Sequence, residues 1–359
     1  MSLDLGSDVI ELLTAIVDME SVSGNEARLA DEVEAALRSY DHLEVIRLGN
    51  SVVARTNAGR DSRVVIAGHL DTVPLADNLP SRIETVDIDG TPTEVMWGRG
   101  TCDMKGGVAV QLSCAAELSA PSRDVTWIFY DNEEVAEHLN GLKKVAEERP
   151  DLLAGEFAVL CEPSNAGVEG GCQGTMAVEV VTSGTASHSA RAWKGHNAIH
   201  DAADVLTRLQ GHTPQQIDVD GLTYREGLNA VGITGGIAGN VIPDRCTIKI
   251  NYRFAPDKDR AAATAYLTDV LGDHEFTVVD FAAGARPGLD RPAAQEFLAA
   301  VGGEPQPKFG WTDVARFSAM GVPAVNFGPG DPNLAHTDNE HTPSDDVRRC
   351  RDALLRWLS

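Results

Sequence analysis

The apolar positions of this chain follow a helical period first, then a mixture of helical runs and short apolar runs. Residues 8–40 hold two helical patterns, the second opening near Ser23-Gly-Asn-Glu and continuing through Ala27, Leu29, Val33, Ala36 and Leu37. Short apolar runs at 51–55 and 63–67 read as strands, and 104–118 reads as a helix with a small-residue start. A buried strand is expected at 125–130, a helix near 138–148 and another strand at 157–161. Strands alternating with helices predict an α/β sheet covered by helices on both faces.

The period then changes. Segments 176–182 and 245–254 alternate every second residue: Cys246, Ile248, Ile250 and Tyr252 are apolar, and Thr247, Lys249, Asn251 and Arg253 are polar. This predicts a half-exposed sheet, with helices at about 196–209 and 257–271 on one face. After about residue 285 the α/β character returns, with a helix near 291–301, a strand at 323–327 and a last helix near 344–358. A different module, 170–285, is therefore expected inside a domain built from 1–169 and 286–359.

Composition narrows the function. A chain of 359 residues is too long for one ordinary core. Its formal charge of −24 argues against nucleic acid and anionic membranes as partners, while leaving an anionic small molecule open. No apolar run approaches the ~20 residues that span a bilayer, and Met1-Ser-Leu-Asp-Leu-Gly lacks the features of a signal peptide. The six cysteines are scattered without a C-x-x-C pair, which points to reduced thiols in a cytoplasmic protein and away from a thiolate metal site.

Metal-type residues gather just after apolar strands or in Gly-rich turns. In Gly68-His69-Leu-Asp71-Thr-Val-Pro74, alternate residues of an extended chain share a side, so Asp71 could orient the His69 ring. Alone, this spacing is as common in structural hydrogen bonds. Trp97-Gly-Arg-Gly-Thr-Cys-Asp103-Met-Lys-Gly-Gly107 places a carboxylate at a helix start. An ordinary N-cap competes with that reading, and a phosphate cradle is disfavoured because the loop lacks the phosphate-binding glycine spacings. Glu133 and Glu134 follow the strand at 125–130, and neighbouring carboxylates repel unless they are solvated, share a proton or face a cation. Glu162 follows another buried strand and precedes Pro163. Far downstream lies Ala335-His336-Thr-Asp-Asn-Glu340, with His341 as a rival to His336. Together they offer two histidines and several carboxylates, a donor set suited to zinc, cobalt or manganese.

In order and spacing, GHLDTVP, GRGTCDMKGG, DNEEV, CEPSN and AHTDNE resemble the di-zinc aminoacylase and carboxypeptidase G-like family of metallopeptidases, over roughly residues 5–358. The resemblance implies a homodimer whose subunit has a catalytic α/β domain, with a helix-covered mixed sheet, and an inserted ferredoxin-like α+β lid and dimerisation domain. It implies two Zn2+ per subunit, with Co2+ able to substitute: His69 and Glu162 on one, Glu134 and His336 on the other, Asp103 bridging. Asp71 would orient His69, Glu133 would be the general base, and His188 of the insert would reach the partner subunit's site to stabilise the oxyanion. Asn240 and Arg253 match positions that contact the substrate's polar end. Within the family, Gly170-Gly-Cys-Gln-Gly-Thr175 and Gly310-Trp-Thr-Asp-Val-Ala-Arg-Phe317 look most like the branch that hydrolyses N-succinyl-LL-2,6-diaminopimelate. Gln173, Thr175, Thr312 and Arg316 are then candidates for substrate contacts. This chain has Cys172-Gln173 where the branch's familiar form carries an arginine, which leaves N-acetylornithine and other N-acyl amino acids open as the substrate, then dipeptides.

Overall fold

The structure, a computed structural model, describes residues 3–359, which form two compact units. The first takes the chain up to Gly170 together with Gly288–Gln306 and Arg316–Ser359. Its sheet has eight strands, in the order Glu44–Leu48, Ser51–Arg55, Asp124–Tyr130, Arg63–His69, Phe157–Leu160, Ala324–Asn326, Glu169–Gly170 and Gln306–Pro307. The four central strands, Asp124–Tyr130, Arg63–His69, Phe157–Leu160 and Ala324–Asn326, run parallel to one another. They are apolar almost throughout: Val64, Val65, Ile66 and Ala67 are fully buried, as are Val125, Trp127, Ile128, Phe129 and Tyr130. Continuous burial is what helices on both faces of a parallel sheet impose.

Parallel strands share one C-terminal edge, and four candidate donor segments leave from it. His69 ends its own strand, Glu133 and Glu134 follow Tyr130, Glu162 follows Leu160, and the loop to His336 follows Asn326. The helix Lys105–Glu117 is buried from Lys105 to Ala115, and it starts close to that edge. Gly107 makes this approach possible, because a Cβ there would overlap the carbonyl oxygen of Cys161.

One element was missed by periodicity. Arg82–Ile88 and Thr91–Trp97 form an antiparallel hairpin, with His341–Pro343 as a third strand. Its turn, Asp89-Gly90, has both residues at positive φ (52° and 83°), and Asp-Gly between alternating residues is a hairpin signal.

The second unit comprises Gly171–Pro287 and Pro307–Ala315. The short segment 307–315 therefore departs from the expected 170–285 module, because it packs by contacts that a sequence break does not reveal. Four antiparallel strands run in the order Gly227–Gly235, Arg245–Phe254, Gly174–Ser183 and Phe276–Ala282. One face, including Met176, Val178, Val180, Cys246, Ile248, Ile250 and Tyr252, is buried with Val205 and Leu209 of the helix Ala198–Gly211 and Leu267 and Leu271 of Arg260–Leu271. Arg253 and Lys249 fall on the opposite face, as their alternation requires.

Candidate metal centre

Asp103 lies between two imidazoles. Its Oδ1 is 3.0 Å from Nε2 of His69, and its Oδ2 is 3.3 Å from Nε2 of His336. His336 Nε2 is also 2.9 Å from Glu134 Oε1. Two sets of donor atoms each fall within 4.8 Å of one another: His69, Asp103 and Glu162, and Asp103, Glu134 and His336. Asp103 belongs to both, with one oxygen facing each histidine. A third set, His69, Glu133 and Glu134, brings Glu133 to the same place. His341 is in none of these sets; its ring lies tilted by 38° against Trp97, with centroids 4.2 Å apart, and its Nδ1 lies 2.8 Å from the Asn339 carbonyl.

Asp71 reaches His69 differently from the expected carboxylate contact. Its backbone carbonyl is 3.0 Å from Nδ1, whereas the nearer carboxylate oxygen is 3.6 Å away, beyond hydrogen-bond range. The fully buried carboxylate instead accepts from Ser23 Oγ (2.7 Å) and from the N–H groups of Glu133 (2.9 Å) and Glu134 (3.1 Å). Asn132, at φ 57°, turns the chain out of its strand so that these two N–H groups point at Asp71. Buried Glu26 accepts from Asn132 N–H (3.3 Å) and Gly24 N–H (2.7 Å). Asp71 and Glu26 thus hold the loop that carries Glu133 and Glu134. Ser23 and Glu26 were not expected, since nothing local pairs them with a loop a hundred residues away.

The charges respond to this packing. Burial lowers the basicity of His69, but the hydrogen bond to Asp103 and the charges of Asp71, Asp103 and Glu162 outweigh it and raise its pKa well above the ordinary value. Hydrogen bonds to Asp103 and Glu134 push His336 up to about 10 against a smaller burial effect. Burial would raise Asp103, yet the hydrogen bonds and charges of His336 and His69 hold it well below the usual carboxylate range. The centre therefore draws positive charge. A set of imidazole nitrogens and carboxylate oxygens with that demand fits borderline divalent cations. Nearby, Lys105 is fully buried and donates to the Met19 carbonyl (2.7 Å); burial lowers its pKa to about 7 despite the surrounding carboxylates.

The remaining candidates divide between the units. Arg316, in the first, is 3.4 Å from Glu137 Oε1. In the second, exposed His188 and Asn240 lie side by side, with His188 paired to Val241 and Ser189 N–H donating to the Asn240 carbonyl. Arg253 is opposite Thr175 on neighbouring strands, and Asn251 Nδ2 donates to Thr175 Oγ1 (3.2 Å). Buried Gln173 donates its side-chain N–H to the Arg225 carbonyl (2.8 Å), and Thr312 is buried with its carbonyl 3.7 Å from Cys172 Sγ.

Histidine and carboxylate donors gathered at the C-terminal edge of the parallel strands of a mixed sheet suit a metal-dependent hydrolase. Residues 65–359 match peptidase family M20/M25/M40, and the chain belongs to that family. Along 99% of both chains it is 51% identical to a proposed succinyl-diaminopimelate desuccinylase, DapE, of Mycobacterium tuberculosis. It is 45% identical to the succinyl-diaminopimelate desuccinylase of Corynebacterium glutamicum, over 99% of this chain and 98% of that one. The fold is shared with the YXEP protein of Bacillus subtilis, a dinuclear metal binding peptidase of the M20 family, at a TM-score of 0.72 and 16% identity, covering 98% and 97% of the two chains.

Proposed function

We propose that this chain is a metal-dependent amide hydrolase that cleaves N-succinyl-LL-2,6-diaminopimelate to succinate and LL-2,6-diaminopimelate, a step in lysine and diaminopimelate biosynthesis. The observation that carries the reading is 45% identity to the Corynebacterium glutamicum desuccinylase along essentially the whole of both chains. The donor geometry supplies the chemistry.

His69 and Glu162 would hold one cation, Glu134 and His336 the second, and Asp103 would face both, in keeping with its two oxygens on two imidazoles. Zn2+ is the expected ion, with Co2+ able to substitute. When bound, such a pair polarises the scissile carbonyl and lowers the pKa of water to near neutral. Glu133 takes a proton from the attacking water and delivers it to the departing amine nitrogen, so the C–N bond breaks to a carboxylate and a free amine. Its backbone N–H is anchored on Asp71, which fixes where the loop presents the carboxylate. In the second unit, His188 would serve the partner subunit's site as an oxyanion donor, with Asn240, Arg253 and Thr175 toward the substrate's polar groups.

A homodimer accords with the edge strand Gly227–Gly235, where Val231 is 65% and Ile233 52% exposed, because an unpaired apolar edge invites a second strand. A cytoplasmic location goes with six buried, unbridged thiols. Arg316 and Gln173 are weaker candidates for substrate contact, since each already engages a protein oxygen.

The test is a substrate panel on metal-reconstituted protein: N-succinyl-LL-2,6-diaminopimelate, N-acetylornithine and a dipeptide. A kcat/KM preference for the succinyl substrate supports the reading, and preference for acetylornithine overturns it.

A further inference from the structure

Arg99 and Glu340 form a buried ion pair, 3% and 1% exposed, with Nη1 2.8 Å from Oε2. Their other partners are the backbones of three segments that carry donors. Glu340 Oε1 accepts from the N–H groups of Cys102 and Asp103, each at 3.1 Å. Arg99 Nη1 donates to the carbonyl of Thr337, the residue after His336, and Nε donates to the carbonyl of Pro74, in the segment that follows His69 (3.1 Å each). Gly98 N–H also donates to the Glu340 carbonyl (3.1 Å), extending the ladder between Thr91–Trp97 and His341–Pro343. Two segments thus leave one ladder side by side, one running forward to Asp103 and the other back to His336. His336 itself has φ 66°, a left-handed conformation that residues with side chains adopt rarely and that surrounding contacts must hold.

We infer that the Arg99–Glu340 pair is a positioning device that fixes the Asp103 carboxylate against the His336 imidazole, and so tunes the cation site these residues share with Glu134. The inference deepens the metal-centre reading above and rests on it. Neither side chain is among the donors; both act through backbone amides and carbonyls. The guanidinium suits the task because its rigid fork serves two carbonyls and a carboxylate at once, which a single ammonium does poorly. Both residues lie inside motifs already singled out, yet each belongs to the layer behind the donors.

The test uses the full-length protein stripped of metal and titrated with Co2+ alone, followed by visible absorption and calorimetry. Arg99→Lys and Glu340→Gln are compared with wild type and with Asp124→Asn. Asp124 is a buried acceptor for Thr56, Ala58 and Arg60 at the opposite end of its strand from Glu133, so its loss reports general loosening. The pair variants should weaken one of two Co2+ sites by roughly 10–100-fold, the usual consequence of removing an outer partner, and alter the cobalt bands. At saturating metal, kcat should fall while KM stays within about twofold, the pattern of a disturbed catalytic geometry rather than lost substrate binding. Asp124→Asn should lower Tm and leave both affinities and bands unchanged. Wild-type affinity and spectrum in both pair variants overturn the inference, as does equal weakening by Asp124→Asn. No Co2+ uptake by wild type overturns the metal reading itself. If Glu340→Gln does not fold, Arg99→Lys, which keeps the charge, decides.

Discussion

Metal uptake by this centre should expel protons, and His336 sets the countable part of that release. His336 is raised to about 10 by Asp103 and Glu134, and His69 is also well above its ordinary range. At about pH 7.5 a histidine of ordinary pKa, about 6.5, is only about one-tenth protonated, whereas one at 10 carries essentially a whole proton. A cation needs the neutral imidazole, so binding displaces whatever proton is there. His336 is 53% exposed, and screening that halves its shift would still leave roughly 0.8 of a proton to expel. Loading the site that holds His336 should therefore release between about 0.8 and one proton from that ring, against about 0.1 for an unperturbed one. Zn2+ titration by calorimetry in buffers of different ionisation enthalpy measures this release, and His336→Ala should release about one proton fewer. The sign also fixes the metal-free stability. A pKa raised on folding gives His336 a stabilising contribution that is complete below the unfolded value near 6.5 and lost as pH rises through 10. Equal release by wild type and His336→Ala would show that the ring is not held against its two carboxylates.

Glu133→Gln should retain both metals by elemental analysis while losing about 10²–10⁴ in kcat, the usual share of a positioned base. Glu134→Gln should instead lower occupancy of one site, seen as stoichiometry falling toward one under competition with a chelator. Mixing His188→Ala chains with Glu133→Gln chains should restore about a quarter of wild-type activity, since half of randomly formed dimers carry one competent site; zero restoration would remove His188 from the partner's site. Ile233→Glu should shift a dimer toward monomer in sedimentation, by placing charge on the exposed edge strand.

Much of this protein is written locally. Apolar runs bounded by breakers are enough to find Arg63–His69, Asp124–Tyr130 and Phe157–Leu160, and strict alternation is enough to place Arg245–Phe254. The kinds of donor are equally local, because a cation selects residue types and residue types are what a sequence records. The hairpin Arg82–Trp97 is legible through Asp89-Gly90, although its first strand is largely exposed and only Val95 and Met96 of the second are fully buried.

What tertiary structure decided is who meets whom. Only parallel pairing of strands from distant segments sets their C-terminal ends on one edge, and only that edge lets Asp103 face both His69 and His336. The Asp71 carboxylate, two residues from His69, was assigned to that ring by spacing. The fold keeps it 3.6 Å from that ring and also ties it to the loop of Glu133 and Glu134, because the left-handed turn at Asn132 aims two N–H groups at it. Arg99 and Glu340 stand far apart in the chain and meet only because their strands share a ladder. Periodicity speaks for a residue's own strand or helix; a hydrogen bond across the fold depends on backbone directions that no single segment contains.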